Sequence, residues 1–247
     1  MDNVRVPEVR AENEGQTRQA SVAEHPVAAG LGHLRKLDES LSAELGPPPG
    51  GWKSLSRLSS DRSLLEDVVQ RNALGYGGTR RIAANFVVGG VTWAVGGVPL
   101  ALMAIECQAI ALQPDSTFLH LDARGEAGAP FYDDPIFCVL QGDIAARHIS
   151  AVVVEDVSAL HEWMRSQLVD SLTPFVHAMS DLTGLGRRGL WGQVASSCGS
   201  VIVWAAELAG RGNCGIMEAD AFLNGPGAAS LDPPSFYRPH LRGARVW

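Results

Sequence analysis

The chain is short of cysteine and has no surplus of basic charge. Four cysteines (Cys107, Cys138, Cys198 and Cys214) occur in 247 residues, and none forms a C-x-x-C pair. That excludes a disulfide framework. Set among apolar neighbours, they are expected to be small buried hydrophobes of a reducing cytoplasm. Charged residues make up 19% of the sequence and sum to −7. Neutralising phosphates needs a basic surface, so nucleic acid is excluded as a partner. Common catalytic signatures are missing too. There is no G-x-x-x-x-G-K-[ST] loop and no G-x-S-x-G elbow, and Gly75-x-Gly77 runs into Gly78-Thr79-Arg80 where a dinucleotide turn needs its third glycine. No two of the seven histidines stand four apart, so no helical zinc motif is formed and no metal site is expected. His161 and His177 are expected to face solvent on their helix.

What is present is apolar: 46% of residues are hydrophobic, enough to offset ordering entropy and build a core. Residues 1–25 are polar and aperiodic. The acids Asp2, Glu8, Glu12 and Glu14 argue against a mitochondrial presequence, and no apolar stretch makes a secretory signal. This stretch is expected to be a flexible tail on a single domain spanning 26–247, located in the cytoplasm. Leu31, Leu34, Leu37, Leu41 and Leu45 recur at helical spacing from Pro26 to Leu45, and Gly46-Pro47-Pro48-Pro49-Gly50-Gly51 ends that helix. A second helix is expected to start at capping serines near Ser59 and Ser60 and to reach Leu74. From Ile82 to Ile105 there is no charge at all. The run is long enough to span a bilayer, but Gly89, Gly90, Gly96, Gly97 and Pro99 interrupt it. Two buried helices of about 14 residues each explain it better, with Pro99 starting the second, and no membrane partner is expected. Val-Gly-Gly-Val occurs twice, at Val88–Val91 and Val95–Val98. These glycines serve either tight helix packing or an opening for a ligand.

Between Ser116 and Val154 the pattern becomes extended. Runs at 117–121, 136–140 and 149–154, separated by Gly, Pro and Asp, predict a small antiparallel sheet in the middle of the chain. Helical spacing returns over 157–182, with a bend at Pro174, and again over 187–208. The expected fold class is therefore α+β, predominantly helical.

Several residues are candidates for chemistry. Glu106 follows the uncharged run, where apolar walls would favour its neutral form and suit it to general acid or base work. The alternative is a surface carboxylate paired with Arg80 or Arg81. Arg187 and Arg188 could hold an anionic ligand, with Trp191 as a stacking wall, or they form a solvated helix edge with Trp191 in the core.

The segment Arg187-Arg188-Gly189-Leu190-Trp191-Gly192-Gln193-Val194-Ala195 resembles the L-W-G-N-x-A helix of FhuF-like ferric-siderophore reductases, with Gln193 in place of the family's Asn. The order of the preceding elements extends the resemblance over about residues 30–240. Members of that family bind a [2Fe-2S] cluster through a C-terminal cysteine motif and reduce ferric siderophores. The corresponding stretch here, Ser235 to Arg242, has no cysteine, and a cluster needs thiolates. The resemblance thus implies a scaffold without the cluster and without any cofactor: an enzyme of bacterial specialised metabolism that cyclises, isomerises or rearranges a medium-sized small molecule. Ferric-siderophore binding or reduction is the alternative. In this reading Glu106 transfers protons, Arg80, Arg187 and Arg188 hold anionic groups, and Trp93, Trp191 and Gln193 shape the pocket. Homo-oligomer formation is left open.

Overall fold

A computed structural model describes residues 25–225. Residues 1–24 of the expected tail (1–25) and the segment 235–242 lie outside the described residues; His25, the last residue of that tail, is packed against Phe137 and His148. The fold is predominantly helical α+β, with seven α-helices and two small sheets among the described residues. Helix α1 (Ala28–Leu37) leads through a 3-10 turn (Glu39–Leu41) to strands β1 (Glu44–Leu45) and β2 (Lys53–Ser54). Helices α2 (Leu55–Ser60), α3 (Arg62–Tyr76) and α4 (Arg80–Glu106) follow. Five strands come next: β3 (Gln108–Ile110), β4 (Thr117–Leu119), β5 (Phe131–Tyr132), β6 (Phe137–Leu140) and β7 (Ala151–Val154). The described chain closes with α5 (Val157–Thr183), α6 (Arg187–Leu208) and α7 (Gly212–Asn224).

The sheets are mixed rather than antiparallel. One has the order β1-β5-β4-β2, the other β3-β6-β7. β1 runs parallel to β5, and β6 runs parallel to β7. The Gly- and Asp-rich breaks suggested hairpins. After β6, however, the segment Gln141–Ser150 includes a 3-10 turn (Ile144–Arg147) that carries the chain back before β7 begins. A returning crossover gives parallel pairing.

The first amphipathic pattern is shorter as a helix than its leucines imply, because Leu41 lies in the 3-10 turn and Leu45 in β1. The glycine–proline run after Leu45 is then a connection within one sheet. Asp61 is the residue that caps α3: its carboxylate accepts from the Leu64 amide at 3.0 Å, while Ser59 and Ser60 end the separate helix α2.

Helix α4 is the axis of the molecule and packs against α1, α3, α5, α6 and β3. It is a single helix, contrary to the expectation of two. Pro99 has no N–H for the Val95 carbonyl four residues back, and the buried Tyr132 hydroxyl donates to that carbonyl instead, at 2.9 Å. Gly96 does not break the helix. A Cβ there would lie 3.1 Å from Leu168 Cδ2, so the glycine lets α5 approach closely. By length and hydropathy α4 could cross a bilayer, but 78% of its most apolar window is buried inside the fold. Its apolar surface is used by the protein's own core.

His161 is buried at 5% exposure, against the expectation of a solvent-facing ring. It packs edge-on against Phe222 of α7 with ring centroids 5.7 Å apart, and Glu218 is 3.8 Å away. Helix α7, which the sequence pattern did not single out, supplies the cover. The buried Arg165 guanidinium of α5 donates to the Phe222 carbonyl at 2.8 Å and helps hold it there.

His25 contacts the rings of Phe137 and His148 at 5.3 and 5.4 Å. Burial, then the neighbouring His148, lowers its pKa, against smaller opposing effects of Pro135 and Asp134. A histidine depressed by folding takes up its proton first in the unfolded chain, so its contribution to stability is present at high pH and is lost as pH falls below about 6.5. Urea midpoints should therefore drop between about pH 7.5 and about pH 5.5, and His25→Gln should shrink that drop. An unchanged drop would assign it to other groups.

Candidate functional site

A concavity of about 370 Å³ lies where α3, α4 and α6 meet the β4–β5 loop. That is within the range of small-molecule sites. Gly77, left-handed at φ 66°, ends α3, and Thr79 caps α4 by accepting from the Ile82 amide. The tight turn between them places Tyr76 beside Phe86. Their rings stack at 5.1 Å and 16°, and both remain about half exposed at the mouth.

The opposite lip is the β4–β5 loop. The Asp122 carboxylate accepts from the amides of Arg124 and Glu126, both at 2.8 Å, and these bonds hold its pKa below the usual carboxylate range. Arg71 of α3 donates to the Asp122 carbonyl. Gly125 has φ 77°, and a Cβ there would sit 2.8 Å from the Val68 carbonyl oxygen, so no other residue lets the loop dock on α3. Docked this way, Glu126 accepts a 2.6 Å hydrogen bond from the Tyr76 hydroxyl. That bond and the carboxylate's charge raise the Tyr76 pKa, keeping the phenol protonated.

The floor is the first Val-Gly-Gly-Val unit, and its two glycines do different things. A Cβ on Gly89 would lie 2.8 Å from Gln193 Nε2, so this glycine lets α6 pack close, while a Cβ on Gly90 would meet nothing within 4 Å. Trp93, Gln193 and Ser197 complete the wall. Asn72 of α3 also lines the cavity at 3% exposure, and its Oδ1 is buried without a hydrogen-bond partner. An unpaired buried amide oxygen costs stability. Across Trp93 and Ala127 lies a second cavity of about 230 Å³, so these two residues form a partition.

Of the residues expected to form a site, Trp93 and Gln193 line this cavity. Trp191 is packed in the core at 8% exposure. Arg80 pairs with Glu66 at 2.8 Å, Arg187 lies 3.8 Å from Asp181, and Arg188 is exposed; none of the three lines the cavity. Glu106 ends α4, about 20 Å along the helix from Trp93, where it pairs with His33 at 2.5 Å. The structure therefore does not bring Glu106 and the arginines together. Asn72, Tyr76, Phe86, Glu126 and Ser197 were missed. The Gly75-Tyr76-Gly77-Gly78 cluster was the available signal for one of them, a sharp turn that presents an aromatic.

The cysteines do not fit an iron–sulfur cluster. Cys138 lies in β6 and Cys198 in α6, both buried, and desolvation raises their pKa values to about 11 and about 12. In the absence of a metal both thiols are neutral. Cys107 is half-buried, and Cys214 is exposed on α7, which corrects the expectation of four buried thiols. Among the described residues, no three His, Cys, Asp or Glu side chains gather as a metal-holding group. In comparisons with known proteins, no family model matches the chain, and no curated protein matches it significantly.

Proposed function

We propose that this chain is a soluble, cytoplasmic enzyme that acts on a medium-sized small molecule held in the α3–α4–α6 cavity, without an iron–sulfur cluster or other redox cofactor. The resemblance of the Leu190–Ala195 segment to FhuF-like proteins makes it a cluster-free relative of that scaffold, used for cyclisation, isomerisation or rearrangement in specialised metabolism. The observation that carries the reading is the cavity itself: about 370 Å³, walled by Tyr76, Phe86 and Trp93, with the Tyr76–Glu126 hydrogen bond at its lip. Aromatic faces and a few fixed polar groups are what binding and orienting such a molecule require. Proton transfer falls to Glu126 and Tyr76, the hydrogen-bonded pair at the cavity lip, rather than to Glu106, which pairs with His33 at the far end of α4.

Native mass spectrometry of the protein after incubation with a cell metabolite extract tests this. A molecule retained by the wild type should be held about tenfold more weakly by Trp93→Ala, which removes the partition and an aromatic wall. Glu126→Gln should no longer convert it. Equal retention by wild type and Trp93→Ala would overturn the site. Visible absorption that bleaches with dithionite would overturn the cluster-free reading.

A further inference from the structure

Glu126 is the one charged side chain in the cavity lining; no Arg, Lys or His is among the described residues that form it. Arg80 pairs with Glu66 and Arg71 with Asp67. Arg124, whose stem lies over Gly75, is outside the lining, though its charge bears on the Tyr76 hydroxyl. One Glu126 oxygen, Oε1, takes the Tyr76 hydroxyl, and a carboxylate has acceptor capacity to spare at its other oxygen. The lining also carries the rings of Tyr76, Phe86 and Trp93, and the π faces of such rings attract cations. The chain as a whole, at −7, draws cations toward it.

Resting on the cavity assignment above, we propose that this site selects an organic cation: a protonated amine or amidine carried on a flat aromatic frame. The ammonium group pairs with Glu126, and the ring lies against the aromatic walls. Anionic ligands are rejected, because a second carboxylate beside Glu126 finds no counter-charge in the lining.

Calorimetry with two probes that share a ring but differ in charge, tryptamine and indole-3-propionate, tests this on the intact chain. Tryptamine should bind at least about tenfold more tightly, with an advantage that shrinks as salt rises. Glu126→Gln keeps an acceptor for Tyr76 and should bring tryptamine down to the level of the acid, with an unchanged melting temperature confirming the fold. If the acid binds as tightly, or if Glu126→Gln leaves the preference intact, the inference is overturned while the cavity assignment stands. If neither probe binds the wild type, the inference also falls, and the extract experiment alone then decides the cavity assignment.

Discussion

Leucine at Gly90 should leave the protein folded and abolish ligand binding, whereas leucine at Gly89, one residue earlier, should damage the fold. The two positions share a helix, a neighbourhood and a sequence motif, and differ in what stands opposite their Cα atoms. At Gly90 the space is open, so the new side chain enters the cavity. Helix propensity also favours leucine over glycine by up to about 1 kcal/mol in a helix interior. The melting temperature of Gly90→Leu should hold or rise, while affinity for a cavity ligand falls by roughly a hundredfold, about 2.7 kcal/mol. At Gly89 a Cβ would already be 2.8 Å from Gln193 Nε2 and 3.5 Å from Ser197 Oγ. A leucine there must displace the Gln193 side chain and crowd Ser197 on α6, an overpacking cost of about 2 kcal/mol. For a domain of this size that lowers the melting temperature by about 4–8 °C. Thermal melts and calorimetry on the two variants check both halves. A Gly90→Leu protein that still binds ligand would mean the cavity floor is not where the molecule sits.

The same glycine pair shows what the sequence could and could not tell. Two Val-Gly-Gly-Val units on an apolar helix suggested either close packing or ligand room, and both are realised. Gly89 and Gly96 bring α6 and α5 close, while Gly90 opens the floor. The sequence could not apportion the roles, because they depend on which residue of another helix comes to face each glycine. The long helices were legible because their buried stripes, such as Leu160, Met164, Leu168 and Leu172 on α5, follow the helical period over many turns. The two- and three-residue strands carry too few positions to show any period. Their direction depends on a crossover that composition does not reveal.

Candidate chemistry was the least legible part. Charge near an apolar run drew attention to Glu106 and to the Arg187–Arg188 pair, but these sit at opposite ends of parallel helices and have partners of their own. The groups that do line the cavity come from four separate stretches: Asn72 and Tyr76, Phe86 and Trp93, Glu126, and Gln193 and Ser197. No spacing rule links them. Their proximity is produced by the docking of the β4–β5 loop on α3, which turns on the left-handed Gly125 against the Val68 carbonyl.

The continuity of α4 rests on a single long-range hydrogen bond, and Tyr132→Phe should expose that dependence. Pro99 removes the donor for the Val95 carbonyl, and the Tyr132 hydroxyl replaces it at 2.9 Å in a fully buried setting. Burial also raises the Tyr132 pKa well above the usual phenol value, so the hydroxyl remains a donor at any pH the protein meets. Deleting it leaves a buried carbonyl unpaired, at a cost of about 2 kcal/mol and a fall in melting temperature of about 4–8 °C. The cause can be isolated with Pro99→Ala, which restores the backbone N–H four residues after Val95. In that background Tyr132→Phe should cost less than about 0.5 kcal/mol, a coupling of more than about 1 kcal/mol between residues far apart in sequence. Equal costs in the two backgrounds would mean that the Tyr132 hydroxyl matters for some reason other than the gap Pro99 makes. Loss of far more than this range in the single variant would point instead to repacking around the ring.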